Sequence, residues 1–524
     1  MEKGRLKRTP EAAAVTGAVL SGLAAHGFAM VQLMHNYDNI LQQPKGLGAG
    51  ITSGRWLLSL LEDITTPLLD LNYNLPFVNG LIFLAFLAVV SGFVVNILRI
   101  EKTSSAVLTG CLIATFPTAA ATMAFRYTAP YYGLSLLMAV LAVWFAQNYH
   151  RIWVGSGLAA VCLALSMGIY QAYPPVAIGL FVLILMREAL EEQAQLAVLI
   201  RKGLRFCAVL ILGVGLYFLL LKLCMVLYST QTQVVLDSYQ GIGQMGQISL
   251  AQLPGLVAKA WLSGALFTVR DYCSLTATPI LKVLWTLLLG MILLLSVLLL
   301  VRRKTKPLLA AFFCAMGLLF PLAVNFIVVM CPQGIIYTIM VYAFVLVGIA
   351  PLMLLELLPK TDKKQWVGGT IAALVAAVVF YNSYYANLNY TSLYYANRQV
   401  ENYLSGMVAQ IRMTPGYTAD KQWAILGQIE DPKLYNIWNQ EPTYGGFIGS
   451  DAKGLMQAGY SFDCWFHNYI GYETDFLTPE QKLSLAEDPR VKQMPCWPSA
   501  GSIQVVDKFV VIKCQDLTLL PETP

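Results

Sequence analysis

The chain has 524 residues, of which 57% are hydrophobic and only 12% charged, with a mean hydropathy of +0.61 and a formal charge of +6. Soluble domains carry about twice that share of charged residues, so the composition excludes a water-soluble enzyme and describes a polytopic membrane protein. In such a chain the placement of Lys and Arg says more than their sum, and the modest excess of positive charge calls for no nucleic-acid partner.

The basic start "MEKGRLKRTP" leads into an apolar segment without a small-residue cleavage site, so this segment reads as a retained first span. Eleven apolar runs approach bilayer-crossing length: 12–34, 78–98, 105–124, 131–147, 152–170, 174–186, 206–228, 278–301, 307–330, 335–354 and 366–384. The sixth is short and opens on Pro174 and Pro175. Counted over alternate connections from the N-terminus, one set holds 18 Lys and Arg, whereas the other holds only Lys45, Arg55, Arg126, Lys259 and Arg270. The positive-inside rule makes the first set cytoplasmic. The expected protein is therefore a multi-pass plasma-membrane protein with a cytoplasmic N-terminus and about eleven transmembrane helices. Residues 1–384 form its membrane domain, with outward loops at 35–77 and 229–277, and residues 385–524 form an extracytoplasmic domain.

That last domain is expected to be α+β. "NLNYTSLYYANRQVENYLSGMVAQI" has helical spacing, "WAILGQI" and "GSIQVVDKFVVIKC" read as strands, and the second of these reads as a hairpin turning near Asp507 and Lys508. The ten cysteines include no C-x-x-C pair. Cys111, Cys162, Cys207, Cys224 and Cys314 lie in apolar runs as small hydrophobes, while Cys464, Cys496 and Cys514 lie in the polar C-terminal part and allow one disulfide at most among themselves.

In the first outward loop, "GLGAGITSGRWLLSLLEDI" predicts a glycine-rich lead, Ser53 as N-cap and an apolar helix too short to span, lying along the membrane surface. "SLAQLPGLVAKAWLSGALF" predicts a counterpart in the second loop, so two surface-parallel helices are expected to frame a cavity.

There is no Walker A sequence, HExxH or GxSxG. "GIGQMG" at 241–246 matches G-x-G-x-x-G but lacks a following βαβ pattern and reads as a turn. The stretch "VQLMHNYDNILQQPKG" is more informative, because an apolar run ends abruptly in His35, Asn36, Tyr37, Asp38 and Asn39. A carboxylate at the low-dielectric edge of a bilayer suits a general base toward a hydroxyl. The other reading of Asp38 is a cap on the span, with Asn39 an ordinary loop residue and His35 a partly exposed interfacial histidine. Arg55 at the start of a helix combines a fixed cation with backbone N–H groups and so suits a phosphate; its bland reading is a snorkelling arginine. Arg126 in "FRYTAPYY" either joins that phosphate or anchors a helix end. Lys222, a lone cation near the outer end of the seventh run, either snorkels or touches the same phosphate. Glu62 and Asp70 are further outward acids. Together, a base and an anion site in one loop at a membrane face describe group transfer from a lipid phosphate. The aromatic-rich "YNSYYANLNYTSLYYANR" at 381–398 is either a stacking platform for sugars or an interfacial belt.

At "NYDN", followed by "SGRW", and on through the closing "MPCWPSAGSIQVVDKFVVIK", the chain resembles the bacterial glucosyl transferase II family over most of its length. The resemblance implies a GT-C-type membrane glycosyltransferase that moves a hexosyl unit, glucosyl by family precedent, from a polyprenyl-phosphate carrier to a cell-surface polysaccharide such as O-antigen or teichoic acid. It implies Asp38 as base in an inverting single displacement, and Arg55 with Arg126 neutralising the departing phosphate. Many GT-C enzymes carry two adjacent carboxylates here, whereas the neighbour of Asp38 is Asn39. This departure counts against a metal held by the pair and leaves Asp70 or Glu62 as candidate second acid, with a divalent cation an open cofactor. The implied functional partners are a polyprenyl-phosphate sugar synthase and a flippase. Two rivals remain on sequence alone: a transporter or flippase of a lipid-linked sugar, which should carry more ionisable positions at mid-membrane, and a sensor or scaffold, which leaves Asp38 and Arg55 without a joint purpose.

Overall fold

A computed structural model describes residues 9–69, 72–228, 236, 249, 251–358, 365–429, 455–456, 461–472 and 477–516. Asp70 and the 241–246 turn lie outside the described residues. The helices are α1 (Pro10–Val31), α2 (Trp56–Leu69), α3 (Pro76–Ile97), α4 (Thr103–Thr115), α5 (Pro117–Ala124), α6 (Ala129–Asn148), α7 (Ile152–Ile169) and α8 (Pro174–Ala189). They continue as α9 (Leu196–Tyr228), α10 (Leu253–Leu266), α11 (Pro279–Arg302), α12 (Pro307–Val324), α13 (Ile327–Met330), α14 (Val345–Glu356) and α15 (Gln365–Met413). Several open on proline at the first or second position, where the missing N–H costs nothing and the fixed φ favours the helix.

Among the described residues nine helices are long and apolar enough to cross a membrane, so the chain is a mostly helical, multi-pass membrane protein. Two of the eleven apolar runs fold shorter. The 174–186 run becomes α8, 16 residues and about 24 Å long. The 335–354 run begins as 3-10 turns at Thr338–Met340 and Tyr342–Phe344 and becomes helical only in the 12-residue α14. Both are buried along nearly their whole length, which accounts for their being apolar all round.

The chain divides into two compact units. The membrane unit comprises residues 1–31 and 47–387. In it α1 packs between α3 and α4, α6 against α3 and α7, α7 against α9, α8 against α12, and α11 against α14. Small residues set the α1–α4 approach: a Cβ on Gly110 would stand 2.0 Å from the Ala14 carbonyl oxygen. Pro117 breaks the third span, which frees carbonyls in the last turn of α4. In a bilayer these need partners, and they have them: His26 Nε2 meets the Ala114 carbonyl at 2.8 Å, and Tyr342 Oη donates to that of Ile113. Three arginines of the basic set bond carbonyls at helix C-terminal ends, Arg187 at Leu98 and Arg99, Arg205 at Ala146, and Arg303 at Leu190 and Leu357, while Arg99 pairs with Glu191 at 3.1 Å. Basic side chains at these ends thus cap the helices.

The C-terminal unit comprises residues 32–46 and 388–524. Its sheet has the order β1 (Gln422–Leu426), β3 (Phe509–Lys513), β2 (Ile503–Val506), with β1 parallel and β2 antiparallel to β3. The hairpin turns at Asp507 and Lys508, as its alternation predicts, with Asp507 in the left-handed region at φ 55°. Ala424, Leu426, Leu477, Val491, Met494, Val506 and Val511 form its core. Cys464, Cys496 and Cys514 are thiols. The 366–384 run does not end where the polar part begins, because α15 continues without a break through 49 residues.

Candidate functional site

The functional candidates fall into both units. In the membrane unit, the glycine-rich lead folds into a 3-10 turn, Ile51–Ser53, closed by Gly54 in the left-handed region at φ 74°. Ser53 is therefore not the N-cap. It is buried within that turn, and the first bond of α2 runs from Ser59 N–H to the Arg55 carbonyl at 3.2 Å, which makes Arg55 the residue at the cap position. The turn is pinned from two sides. Gln171 Nε2 donates to the Ser53 carbonyl at 2.9 Å, and Tyr217 Oη donates to that of Gly54 at 3.1 Å. Trp56 is buried with Ile51, Ala164, Met167, Tyr217 and Leu221.

The half-buried Arg55 guanidinium lies against a pair of stacked rings, 5.3 Å from the centre of Tyr170 and 5.9 Å from that of Tyr132. Those rings stand 4.0 Å apart at 12°. A cation held over ring faces, at the positive end of a 14-residue helix, is organised to receive an anion without having to be ordered first. Arg126 is only 2% exposed, in the turn between α5 and α6, where its carbonyl accepts from Asn79 Nδ2 at 3.1 Å. Lys222 is exposed on α9, one residue beyond the buried Leu221. Glu62 sits half-buried on α2, and burial, with Asp63 beside it, raises its carboxyl above the ordinary glutamate value. Asp63 accepts a bond from Tyr228 Oη. An apolar groove of about 280 Å³ runs beside α2, α3 and α6, and in its lining Thr65 Oγ1 and Tyr131 Oη both donate to Asn72 Oδ1, at 2.9 and 3.0 Å. The two helices predicted to lie along the membrane surface have separate supports: α2 packs on α7 and α9, and α10 on α12 and α13.

In the C-terminal unit, Asp38 lies seven residues past the end of α1, half-buried, in a turn built by its neighbours. Asn36 Oδ1 accepts from the backbone N–H of Asp38 at 3.1 Å and of Asn39 at 2.8 Å, an Asx turn that fixes the local direction of the chain. His35 is fully buried, not partly exposed as its position at a span end suggests, because three distant residues enclose it. Asn397 bonds its backbone, and its ring meets Trp465 and Tyr469 edge to face at 5.9 and 4.9 Å. Asn39 is likewise fully buried. Among the described residues no three His, Cys, Asp or Glu side chains gather as a metal site.

Sequence reasoning missed Tyr132, Tyr170, Gln171 and Tyr217 around Arg55, and Asn397, Trp465, Asn468 and Tyr469 around the Asp38 turn. The two tyrosines at 132 and 170 carry a faint signal, since each stands at the outward end of an apolar run, where an interfacial belt is the ordinary reading.

A helical bundle of this kind, with nine helices long and apolar enough to cross a bilayer among the described residues and an arginine held over aromatic rings at the start of α2, defines a multi-pass membrane protein. The family model for Glucosyl transferase GtrII matches residues 27–348, more than half of the 524, and the chain belongs to that family. It is thereby a membrane glucosyltransferase. No curated protein and no solved structure matches it.

Proposed function

We propose that this protein is a GT-C-type enzyme of about eleven spans that moves a hexosyl, most simply glucosyl, unit from a polyprenyl-phosphate carrier to a cell-surface polysaccharide, with the C-terminal unit outside the cell. The observation that carries the proposal is the Arg55 guanidinium fixed over Tyr132 and Tyr170 at the start of α2, in a family of glucosyl transferases. Such a cation meets the charge that develops on a departing phosphate, and Arg126 is the second cation of the same set. The acceptor hydroxyl gives its proton to the Asp38 carboxylate as its oxygen bonds the anomeric carbon. The bond from that carbon to the phosphate oxygen breaks in the same step, which inverts the centre and releases polyprenyl phosphate. The groove beside α3 and α6 has the apolar lining that a prenyl chain needs. Lys222, exposed on α9, is a further cation for the same phosphate.

The test is transfer of labelled glucose from synthetic polyprenyl-phosphate glucose to envelope polysaccharide by the purified full-length protein in lipid vesicles. Transfer by wild type that vanishes in a folded Asp38→Asn variant is expected. Undiminished turnover by Asp38→Asn would move the base elsewhere, and absence of transfer from every lipid-linked sugar, with the sugar carried across the bilayer instead, would favour a flippase.

A further inference from the structure

The turn that bears Asp38 has partners from the far end of the chain. The His35 N–H donates to Asn397 Oδ1 at 2.8 Å, and Asn397 Nδ2 donates back to the His35 carbonyl at 2.9 Å, so one side-chain amide satisfies both backbone groups of one residue. On the other side of Asp38, Asn468 Nδ2 donates to the Ile40 carbonyl at 3.0 Å. Between these two grips the Asx turn of Asn36 sets the course of the backbone. The His35 ring fills the space between the edges of Trp465 and Tyr469, and Trp465 is itself fixed by a bond from its Nε1 to the Leu455 carbonyl at 2.9 Å.

Asn468 and the two aromatic residues lie on one π-helical segment, Trp465–Ile470. The wider π turn is a rarely used conformation that recurs at functional sites. Here it places Trp465 and Tyr469 on His35 and Asn468 on Ile40. A segment without regular structure, held at both flanks, keeps a carboxylate in one place at no cost during the reaction.

We infer that Asn397 and Asn468 are positioning residues for Asp38, and that the C-terminal unit serves to hold the base and is not an appended binding module. The inference rests on the reading of Asp38 as base. Its chemistry makes the amide donors the essential atoms. An isosteric Asn468→Asp loses the donor, whereas Asn468→Gln keeps it one methylene further out.

The experiment measures kcat and donor KM for full-length protein in vesicles with polyprenyl-phosphate glucose, for wild type, Asp38→Asn, Asn397→Ala, Asn468→Ala, Asn468→Asp and Asn468→Gln. Asn468 is half-buried, so its variants keep the test available where Asn397→Ala fails to fold. The expected result is a fall in kcat of about 10- to 100-fold in Asn468→Ala and Asn468→Asp, with donor KM within about twofold of wild type, and partial recovery in Asn468→Gln. Wild-type kcat in the Asn468 variants, with Asp38→Asn inactive, would overturn the positioning role and leave the base standing. Full activity of Asp38→Asn would overturn the base and the inference with it.

Discussion

The Arg55 guanidinium lies 5.3 Å from the centre of the Tyr170 ring, and Tyr170 stacks at 4.0 Å on Tyr132. The aromatic pair therefore sets where the cation can be. If the face of the ring does this, Tyr170→Phe keeps transfer near wild type, whereas Tyr170→Ala lowers it by about tenfold. Arg55→Ala removes the charge and is expected to cost about 100- to 1000-fold in kcat, the scale of losing one preorganised donor to a developing anion. Arg55→Lys recovers little, because an ammonium neither stacks on the rings nor presents a planar fork. Vesicle transfer assays at saturating donor check all four.

His26 tests how the break at Pro117 is accommodated. Its bond to the Ala114 carbonyl is buried within the bundle, so His26→Leu leaves an acceptor that the helix itself cannot satisfy. The expected loss is about 1 kcal/mol, toward the low end for buried bonds because chains inside membranes find substitute partners. Denaturant titration in mixed micelles measures it, with transfer activity unchanged at low denaturant. A variant as stable as wild type would mean that the carbonyl is satisfied in another way.

Much of the helical architecture is legible in the sequence for a simple reason: long apolar runs are a local property of composition. The Asp507–Lys508 hairpin is legible for the same reason. Periodicity cannot separate a lipid-facing helix from one buried on every side, so 174–186 and 335–354 read like the other apolar runs although α8 and α14 are buried within the membrane unit. Ser53 fails as an N-cap because Gly54, in the left-handed region, ends a 3-10 turn first and passes the cap position to Arg55. Asp38 and Arg55 stand out as candidates because each is a charge out of place beside an apolar run. Their supports do not stand out. Asn397 and Asn468 are separated from the residues they hold by 362 and 428 positions, and an asparagine in a polar stretch carries no local mark of its distant partner.

Gly110 marks the tightest approach between α1 and α4. A Cβ there would meet the backbone of Ala14, not a side chain that can turn aside, so Gly110→Val must separate the two helices. The expected destabilisation is about 1–3 kcal/mol, the range for overpacking a filled interface. Gly27 is the matched control within α1, since a Cβ there meets nothing within 4 Å, and Gly27→Ala should leave the melting profile unchanged. Thermal unfolding followed by size-exclusion chromatography distinguishes the pair. Equal behaviour of the two variants would refute the close contact.

Cys496 and Cys514 give a test of both packing and orientation. Cys514 is 3% exposed, and burial, with Cys496 nearby, pushes its thiol up to about 12, whereas Cys496 is half-buried. Alkylation proceeds through the thiolate, so at pH 8 only about one part in ten thousand of a thiol with a pKa near 12 is reactive. A membrane-impermeant maleimide added to sealed, reduced cells at pH 8 is therefore expected to label Cys496 and spare Cys514, as read by peptide mass spectrometry. Labelling of Cys514 should rise about tenfold per pH unit above 8 and become complete in denaturant. Equal labelling of both residues at pH 8 would contradict the burial of Cys514. Protection of Cys496 in sealed cells, lost on lysis, would place the C-terminal unit in the cytoplasm and remove the acceptor polysaccharide from its reach.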